Sequence, residues 1–340
     1  MIIQVEKPTL RRKEMDGVLQ TMADEVIGVG THTKLFEQAF REFTNLEGST
    51  IALRSGFDAL TLALKALDLK ENSVVAISAL TPSWYLEALN SLNLKSLILD
   101  IELETYSIDP QFIPSNVDAI LMYHPYGNFP LKEGFENISI PIIEDITHSL
   151  ASYYDDGDKP GTIGSIVIAT FEEGSIVSTG GGAIVHTNNE EYQKHLETLT
   201  DPLINIIGLP NLNGALGVVQ FQNINTNLES RRAIYSRFEK ALMRTKHSLF
   251  KVKGVEFITN ASSFVVTMEA KRDQGQKFAL KHEIETTLAF ENCVLKDNLE
   301  DFKNYPNAIP IILRSIRFPL YPFLSKNQIE QIERVVGHLP

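Results

Sequence analysis

With 340 residues, 43% of them hydrophobic and 22% charged, the chain is long enough for two domains and has the balance of an ordinary globular protein. Its net charge of −12 argues against nucleic acid or an anionic membrane surface as a partner, because both reward basic patches. The single cysteine, Cys293, excludes an internal disulfide; with no apolar run of roughly 18 residues and no signal-peptide pattern over Met1 to Thr9, the expectation is a cytoplasmic protein.

Met15, Val18, Leu19, Met22 and Val26 fall at helical spacing, as do Leu35, Phe36, Ala39, Phe40 and Phe43. Two amphipathic helices with core-facing stripes are therefore predicted, separated by the turn signal Gly28-Val29-Gly30. Thr50 to Leu53 reads as a strand. It runs into Arg54-Ser55-Gly56-Phe57-Asp58 and a helix carrying Leu60, Leu64 and Leu67 on one side. A helix N-terminus after such a turn offers unpaired N–H groups to an anion, although Ser55 and Asp58 are equally the residue types that cap a helix.

Strands at Val74 to Ile77 and Leu97 to Asp100 flank a helix near Ser83 to Leu92, and Ala119 to His124 is a further strand. This alternation predicts a parallel sheet with right-handed crossovers. The apolar run Pro141 to Ile143 ends in Glu144 and Asp145, placing a carboxylate at the strand edge where open α/β sheets bind ligands. Ile166 to Phe171 is the next strand, and Ser178, Thr179 and Gly180 to Gly182 form a loop that lets backbone approach a ligand closely. His124 and His148 lack metal-ligand spacing, so a hydrogen-bonded structural role is expected for His124.

Helices are predicted over Asn189 to Leu199 and, with interruptions, from Gly214 to about Thr245, with Arg231 and Arg232 expected to face solvent. The C-terminal part reads as strands near Val255 to Ile258 and Phe264 to Met268, a helix near Gln276 to Phe290, and a strand near Ile311 to Leu313. A last helix follows, in which Ser325 and Gln328 have capping-box spacing before Ile329, Ile332 and Val335.

The stretch Pro141 to His186 resembles the DegT/DnrJ/StrS family of pyridoxal-phosphate-dependent sugar aminotransferases. Glu144-Asp145 matches the family's strand end, Gly161 and Gly164 its Gly-x-x-Gly step, Ala169-Thr170-Phe171 its Phe-Ser-Phe element, and Gly180 to Ala183 its glycine turn. Lys7-Pro8, Ser55 to Leu60, Asp100-Ile101 with Thr105 to Asp109, Pro125-Tyr126-Gly127 and Arg317 to Ser325 extend the match along nearly the whole chain. The resemblance implies an α/β protein of the aspartate-aminotransferase-like, type I fold. Residues 1–244 would be the large cofactor domain with a mostly parallel sheet between helices, and residues 245–340 a smaller C-terminal α/β domain. It also implies a homodimer with the site between subunits.

By the same resemblance Ser55, Gly56 and Phe57 would hold the cofactor phosphate, with Phe57 replacing a hydroxyl residue, and Thr170 belongs to the same pocket. The ring-stacking position falls on Pro82; Trp84, two residues on, either supplies the stacking or is core, the latter being favoured slightly. Asp145 either pairs with the pyridine nitrogen or is a strand-end carboxylate satisfied by backbone N–H groups. His148 lies where the family has a polar group near the cofactor oxygen.

The departures carry as much weight as the matches. At the position of the Schiff-base lysine stands Ser175, and no lysine occurs between Lys159 and Lys194. A hydroxyl cannot form an imine with an aldehyde. Lys159 sits in a polar turn before Pro160, which makes it no substitute. The family's phosphate-binding Asn segment is replaced by Ile206-Ile207-Gly208-Leu209, and a small-domain segment is missing. The expectation is thus a family member without standard transaminase activity, a binding or accessory protein in nucleotide-sugar or polysaccharide biosynthesis. The alternative is a lysine-independent enzyme of aminotransferase or dehydratase type acting on a nucleotide-linked keto sugar. Pyridoxal phosphate or pyridoxamine phosphate would be held without a covalent link and at most weakly, a nucleotide sugar is the expected ligand, and no metal site is expected.

Overall fold

Seven short, mostly apolar strands form the central sheet of the computed structural model, which describes residues 2–155, 157–254, 256–269 and 272–340. In chain order the strands are β1 (Ser49–Leu53), β2 (Val74–Ser78), β3 (Lys95–Leu99), β4 (Ala119–Tyr123), β5 (Ile142–Asp145), the short β6 (Tyr153–Tyr154), β7 (Ile166–Thr170) and β8 (Ala183–Thr187). All but β6 join the sheet, in the order β1-β8-β7-β5-β4-β2-β3. The run β7-β5-β4-β2-β3 is parallel, and β8 is antiparallel to both β7 and β1. Near-continuous apolar strands of this kind are buried on both faces.

Helices α1 (Arg12–Ala23), α2 (Thr31–Thr44), α3 (Gly56–Ala66), α4 (Trp84–Ser91), α5 (Glu190–Thr200), the single turn α6 (Ile204–Ile207), α7 (Asn211–Gln222) and α8 (Ile224–Leu242) complete this part. The two-residue alternation of β7 divides the core. Ile166 and Ile168 pack with α3 and α4, while Val167 and Ala169 meet Phe36, Phe40 and Phe221 of α2 and α7.

The C-terminal part comprises β9 (Ser248–Leu249), β10 (Phe257–Ile258), β11 (Phe264–Thr267), α9 (Arg272–Lys281), β12 (Thr287–Leu288), α10 (Ala308–Arg314), β13 (Ser315–Phe318) and α11 (Lys326–Val336). An antiparallel sheet, β12-β13-β11-β9, holds its own core, while β10 pairs with β6. That core also takes in Tyr235 and Phe238 of α8 and Ile3 from the N-terminal segment. Ile3 is tied down by its N–H donating to Glu283 O (2.8 Å) and by its carbonyl accepting from Glu285 N–H (3.0 Å). The capping box of Ser325 and Gln328 on α11 is formed as the spacing predicts.

Several expectations fail. The α1 stripe does not face the core, since Met15, Leu19, Met22 and Val26 are all more than half exposed. The helix instead packs on α7 through its small and polar side: Gly17 lies against Val219, and buried Glu14 accepts from Gln220 Nε2 (3.1 Å). Arg231 is buried, not solvent-facing. Its Nε donates to Asn227 Oδ1 (2.9 Å) and its Nη1 to Leu320 O (2.9 Å), which satisfies a charge that burial would otherwise penalise. Arg232 is half-buried and donates to Thr259 O and Ala151 O.

The helix expected over Gln276 to Phe290 is α9, which ends at Lys281 because Glu283 takes a left-handed conformation (φ 55°) and Thr287-Leu288 then pair with β13. Ile311 to Leu313, expected as a strand, lie in α10, whose Ala308, Ile309 and Ile312 present a helical stripe to the core. Of the strand expected over Val255 to Ile258, Val255 lies outside the described residues.

Candidate functional site

The parallel strands β2, β4, β5 and β7 end at one edge of the sheet, and the predicted site residues collect along it. Successive residues of a strand point to opposite faces, so Glu144 and Asp145 enter different environments. Glu144 is fully buried and accepts N–H bonds from Gly161 (2.6 Å), Ile163 (2.9 Å) and Gly164 (2.7 Å). A Cβ on Gly164 would lie 2.6 Å from Glu144 Cβ, which accounts for a glycine there. His124 is buried against this carboxylate, with its Nδ1 bonded to Ser149 Oγ (2.8 Å); burial lowers its pKa to about 3, so it is neutral. His124 is thus the hydrogen-bonded structural histidine that was expected, and the described residues contain no cluster able to hold a metal.

Asp145 has far less support. Its Oδ1 accepts from Thr147 N–H (2.8 Å), and the Thr147 hydroxyl also bonds it while accepting from Thr170 N–H (2.9 Å). Burial pushes the Asp145 carboxyl up to about 6 against these lowering contacts. The carboxylate satisfied by several backbone N–H groups is therefore Glu144, while Asp145 remains receptive to a cation at the sheet edge.

Ser55, Gly56, Thr170 and Trp84 converge next to it. Ser55 caps α3, accepting from Asp58 N–H (3.1 Å) and donating to Asp58 Oδ2 (2.7 Å), so the capping expectation holds. The N–H groups of Gly56 and Phe57 in that first turn have no intrahelical acceptor. A Cβ on Gly56 would lie 2.6 Å from Thr170 Cγ2 and 3.5 Å from Trp84, so glycine permits α3 to dock on the end of β7. Trp84 is half-buried against Tyr85 and the α3–α4 core, and Phe57 is exposed. Arg54 N–H donates to Ile207 O (2.7 Å), which sets the exposed Ile206 beside this turn.

On β4, Tyr123 is the register partner of Asp145, and it brings His148 to the same edge. His148 Nδ1 bonds Tyr123 Oη (2.8 Å) and its ring stacks on Tyr126 at 5.2 Å. Burial and the nearby Arg317 both lower its pKa, so the imidazole is neutral. These residues, with Pro82, Cys293 and Arg317, line a half-open cavity of about 280 Å³. Ser175 lies in the connection between β7 and β8, its N–H donating to Glu172 O (3.0 Å). Among the described residues no hydrogen bond joins its side chain to Asp145, His148 or Thr170. Lys159 lines a different cavity, of about 360 Å³, with Phe43, Leu150 and Arg232; it contains none of the predicted site residues.

Chemically, the edge offers an under-satisfied buried carboxylate, open N–H groups at a helix start and a neutral His–Tyr pair. That set fits a protonated ring nitrogen at Asp145 and a phosphate at α3, the two non-covalent grips of a pyridoxal-type cofactor. Sequence reading missed the Tyr123–His148 pair, the Glu144 turn contacts and an ion pair between Glu6 and Arg317. No periodicity or spacing could reveal them, since each joins residues of separate elements.

The profile of the DegT/DnrJ/EryC1/StrS aminotransferase family matches residues 8–339. The GDP-perosamine synthase of Caulobacter vibrioides is 26% identical over 273 residues, covering 73% of this chain and 72% of that one. The GDP-perosamine synthase of Escherichia coli O157:H7 is 24% identical over 349 residues, covering 96% and 95%. Among solved structures, the aminotransferase TlmJ from Streptoalloteichus hindustanus superposes with a TM-score of 0.87 at 20% identity over 99% of this chain and 98% of that one. The E. coli GDP-4-keto-6-deoxy-D-mannose-3-dehydratase with bound hydrated pyridoxal phosphate gives 0.85 at 16% identity over 99% and 100%.

Proposed function

Since the chain belongs to the DegT/DnrJ/EryC1/StrS aminotransferase family, we propose that it is a member that does not transaminate by the usual route and serves as a binding or accessory protein for a nucleotide-linked sugar. The observation that carries this is Ser175 in the β7–β8 connection, with no lysine between Lys159 and Lys194 to attach a cofactor. Ser175 then stands at the position of the Schiff-base lysine.

The cofactor, pyridoxal or pyridoxamine phosphate, is held reversibly in this reading. Asp145 meets the ring nitrogen, and Ser55, Gly56 and Phe57 at the start of α3 meet the phosphate. When bound, the group supplies an electron-withdrawing ring. Thr147 and Thr170 orient Asp145 through their hydrogen bonds. Each missing charge-assisted anchor costs about 1.5–3 kcal/mol, roughly tenfold or more in affinity, so binding is weak.

Two copies are proposed to associate through the exposed apolar face of α1. Asn211 Nδ2 donates to Val26 O (2.9 Å), which keeps the end of that face beside the start of α7. Residues 245–340 are proposed as a small domain whose core is completed by α8.

A second reading is favoured by one observation. The neutral His148–Tyr123 pair lines a cavity and could move a proton without any lysine. That would make the chain an enzyme on a keto sugar linked to a nucleotide. The separating experiment incubates the protein with pyridoxamine phosphate and GDP-4-keto-6-deoxy-D-mannose and follows the sugar by mass spectrometry. The accessory reading expects unchanged sugar, whereas loss of oxygen from it or its conversion to an amino sugar would establish the second reading and contradict the first.

A further inference from the structure

Arg317 is the one cation among the residues lining the Tyr123–His148 cavity, and an unusual partner answers its charge. It pairs with Glu6 of the N-terminal segment, while its Nε donates to Thr287 Oγ1 (3.3 Å). The side chains of Arg317 and Glu6 are 21% and 48% exposed, and ion pairs open to water contribute little net stability. The backbone on either side is fixed, because Val5 and Thr9 are buried, Val5 N–H donates to Glu285 Oε2 (2.9 Å) and Thr9 O accepts from Gln220 Nε2 (2.6 Å). The Glu6 side chain can therefore swing away without the segment leaving.

Glu6 also rests on the connection that carries Ser175. A Cβ on Gly174 would lie 2.7 Å from Glu6 Oε2, so the carboxylate lies between the cavity's cation and that loop. The groups facing Arg317 inside the cavity are uncharged at neutral pH: burial lowers the pKa of His148 and raises those of Tyr123, Tyr126 and Cys293. Among the described residues that line the cavity the acidic one is Glu291, exposed at the rim, and Glu6 brings its charge through Arg317.

We propose that Arg317 is the anion-recognising residue of this cavity and that Glu6 is its internal counter-ion, displaced when a ligand bearing a compact carboxylate or phosphate enters. A guanidinium fork receives either group in two parallel hydrogen bonds, which a lone carboxylate on a fixed segment holds in reserve. The inference deepens the reading above and rests on it only in taking this cavity as the ligand site.

Calorimetric titration with two probes, inorganic phosphate and succinate, tests it in the absence of any cofactor or sugar. Glu6→Gln removes the competitor and is expected to tighten one of the two at least fivefold, thereby identifying the anion. Adding Arg317→Gln to that variant should abolish the gain, whereas Glu6→Gln with Arg317→Lys should retain part of it. No gain with either probe in Glu6→Gln overturns the proposal, as does a gain that survives Arg317→Gln. If Arg317→Gln fails to fold, the Glu6→Gln comparison decides alone, since Glu6 is half exposed. Because no sugar is converted in these titrations, their outcome is independent of whether the protein transaminates.

Discussion

At the residue scale, the two adjacent carboxylates at the end of β5 receive different numbers of donors, and this separates a structural role from a binding one. Glu144 is held by three backbone N–H groups, so Glu144→Gln places an amide donor against donors and is expected to destabilise the fold by about 1–3 kcal/mol in urea unfolding. Asp145 behaves in the opposite sense. Its folded pKa is raised to about 6 from 3.8, so between those values the folded chain holds a proton that the unfolded chain has released. Stability contributed by the protonated form is present below about pH 4 and is lost as pH rises through 6, a total of about 3 kcal/mol. Asp145→Asn removes that loss. The variant should be more stable than the parent at pH 7.5, by up to about 3 kcal/mol, yet bind pyridoxamine phosphate less well. Unfolding midpoints at pH 4 and 7.5 check the first part. A variant that is destabilised at pH 7.5 would assign Asp145 a structural role. The sequence placed both carboxyls at the strand edge but left their roles open, because which one meets the Gly161–Gly164 turn depends on the pleat of β5.

At the scale of elements, strands and helices of the first 200 residues were legible because their apolar runs are short, β-branched and separated by glycine and asparagine turns. The later failures share a cause. Ile309 to Leu313 is an apolar run that fits a strand or a buried helix equally by composition; its helical state depends on Asp100 accepting from Asn307 and Ala308 N–H (2.9 and 2.8 Å), a contact across 200 residues of chain. Likewise the periodicity of α1 marks a helix, but its apolar side faces outward since Gly17 and Glu14 provide the fit to α7. Close approach also fixes α2 on α7, where a Cβ on Gly217 would lie 2.4 Å from the Phe36 ring. Gly217→Ala is therefore expected to cost about 1–3 kcal/mol by overpacking, measurable as a lowered urea midpoint with an unchanged slope. A midpoint equal to the parent's would show that the Phe36–Phe221 core yields without cost.

At the scale of the whole molecule, the family fold was readable from ordered motifs spread over the chain, whereas assembly and ligand attachment turn on surfaces and single residues. Met15, Leu19, Met22 and Ile206 are exposed to a degree that an isolated chain has no use for, which supports the proposed dimer. Light scattering at micromolar concentration should give twice the chain mass. A Leu19→Ser, Met22→Ser double variant should give the single mass while keeping the parent's circular dichroism. A parent protein with only the single mass would remove the basis for a shared site. The central claim is that this chain holds its cofactor without a covalent bond because Ser175 occupies the attachment position. Incubation with pyridoxal phosphate, borohydride reduction and peptide mass spectrometry measure that directly. The account predicts no lysine labelled near one equivalent per chain; one lysine carrying the reduced cofactor at that stoichiometry would contradict it.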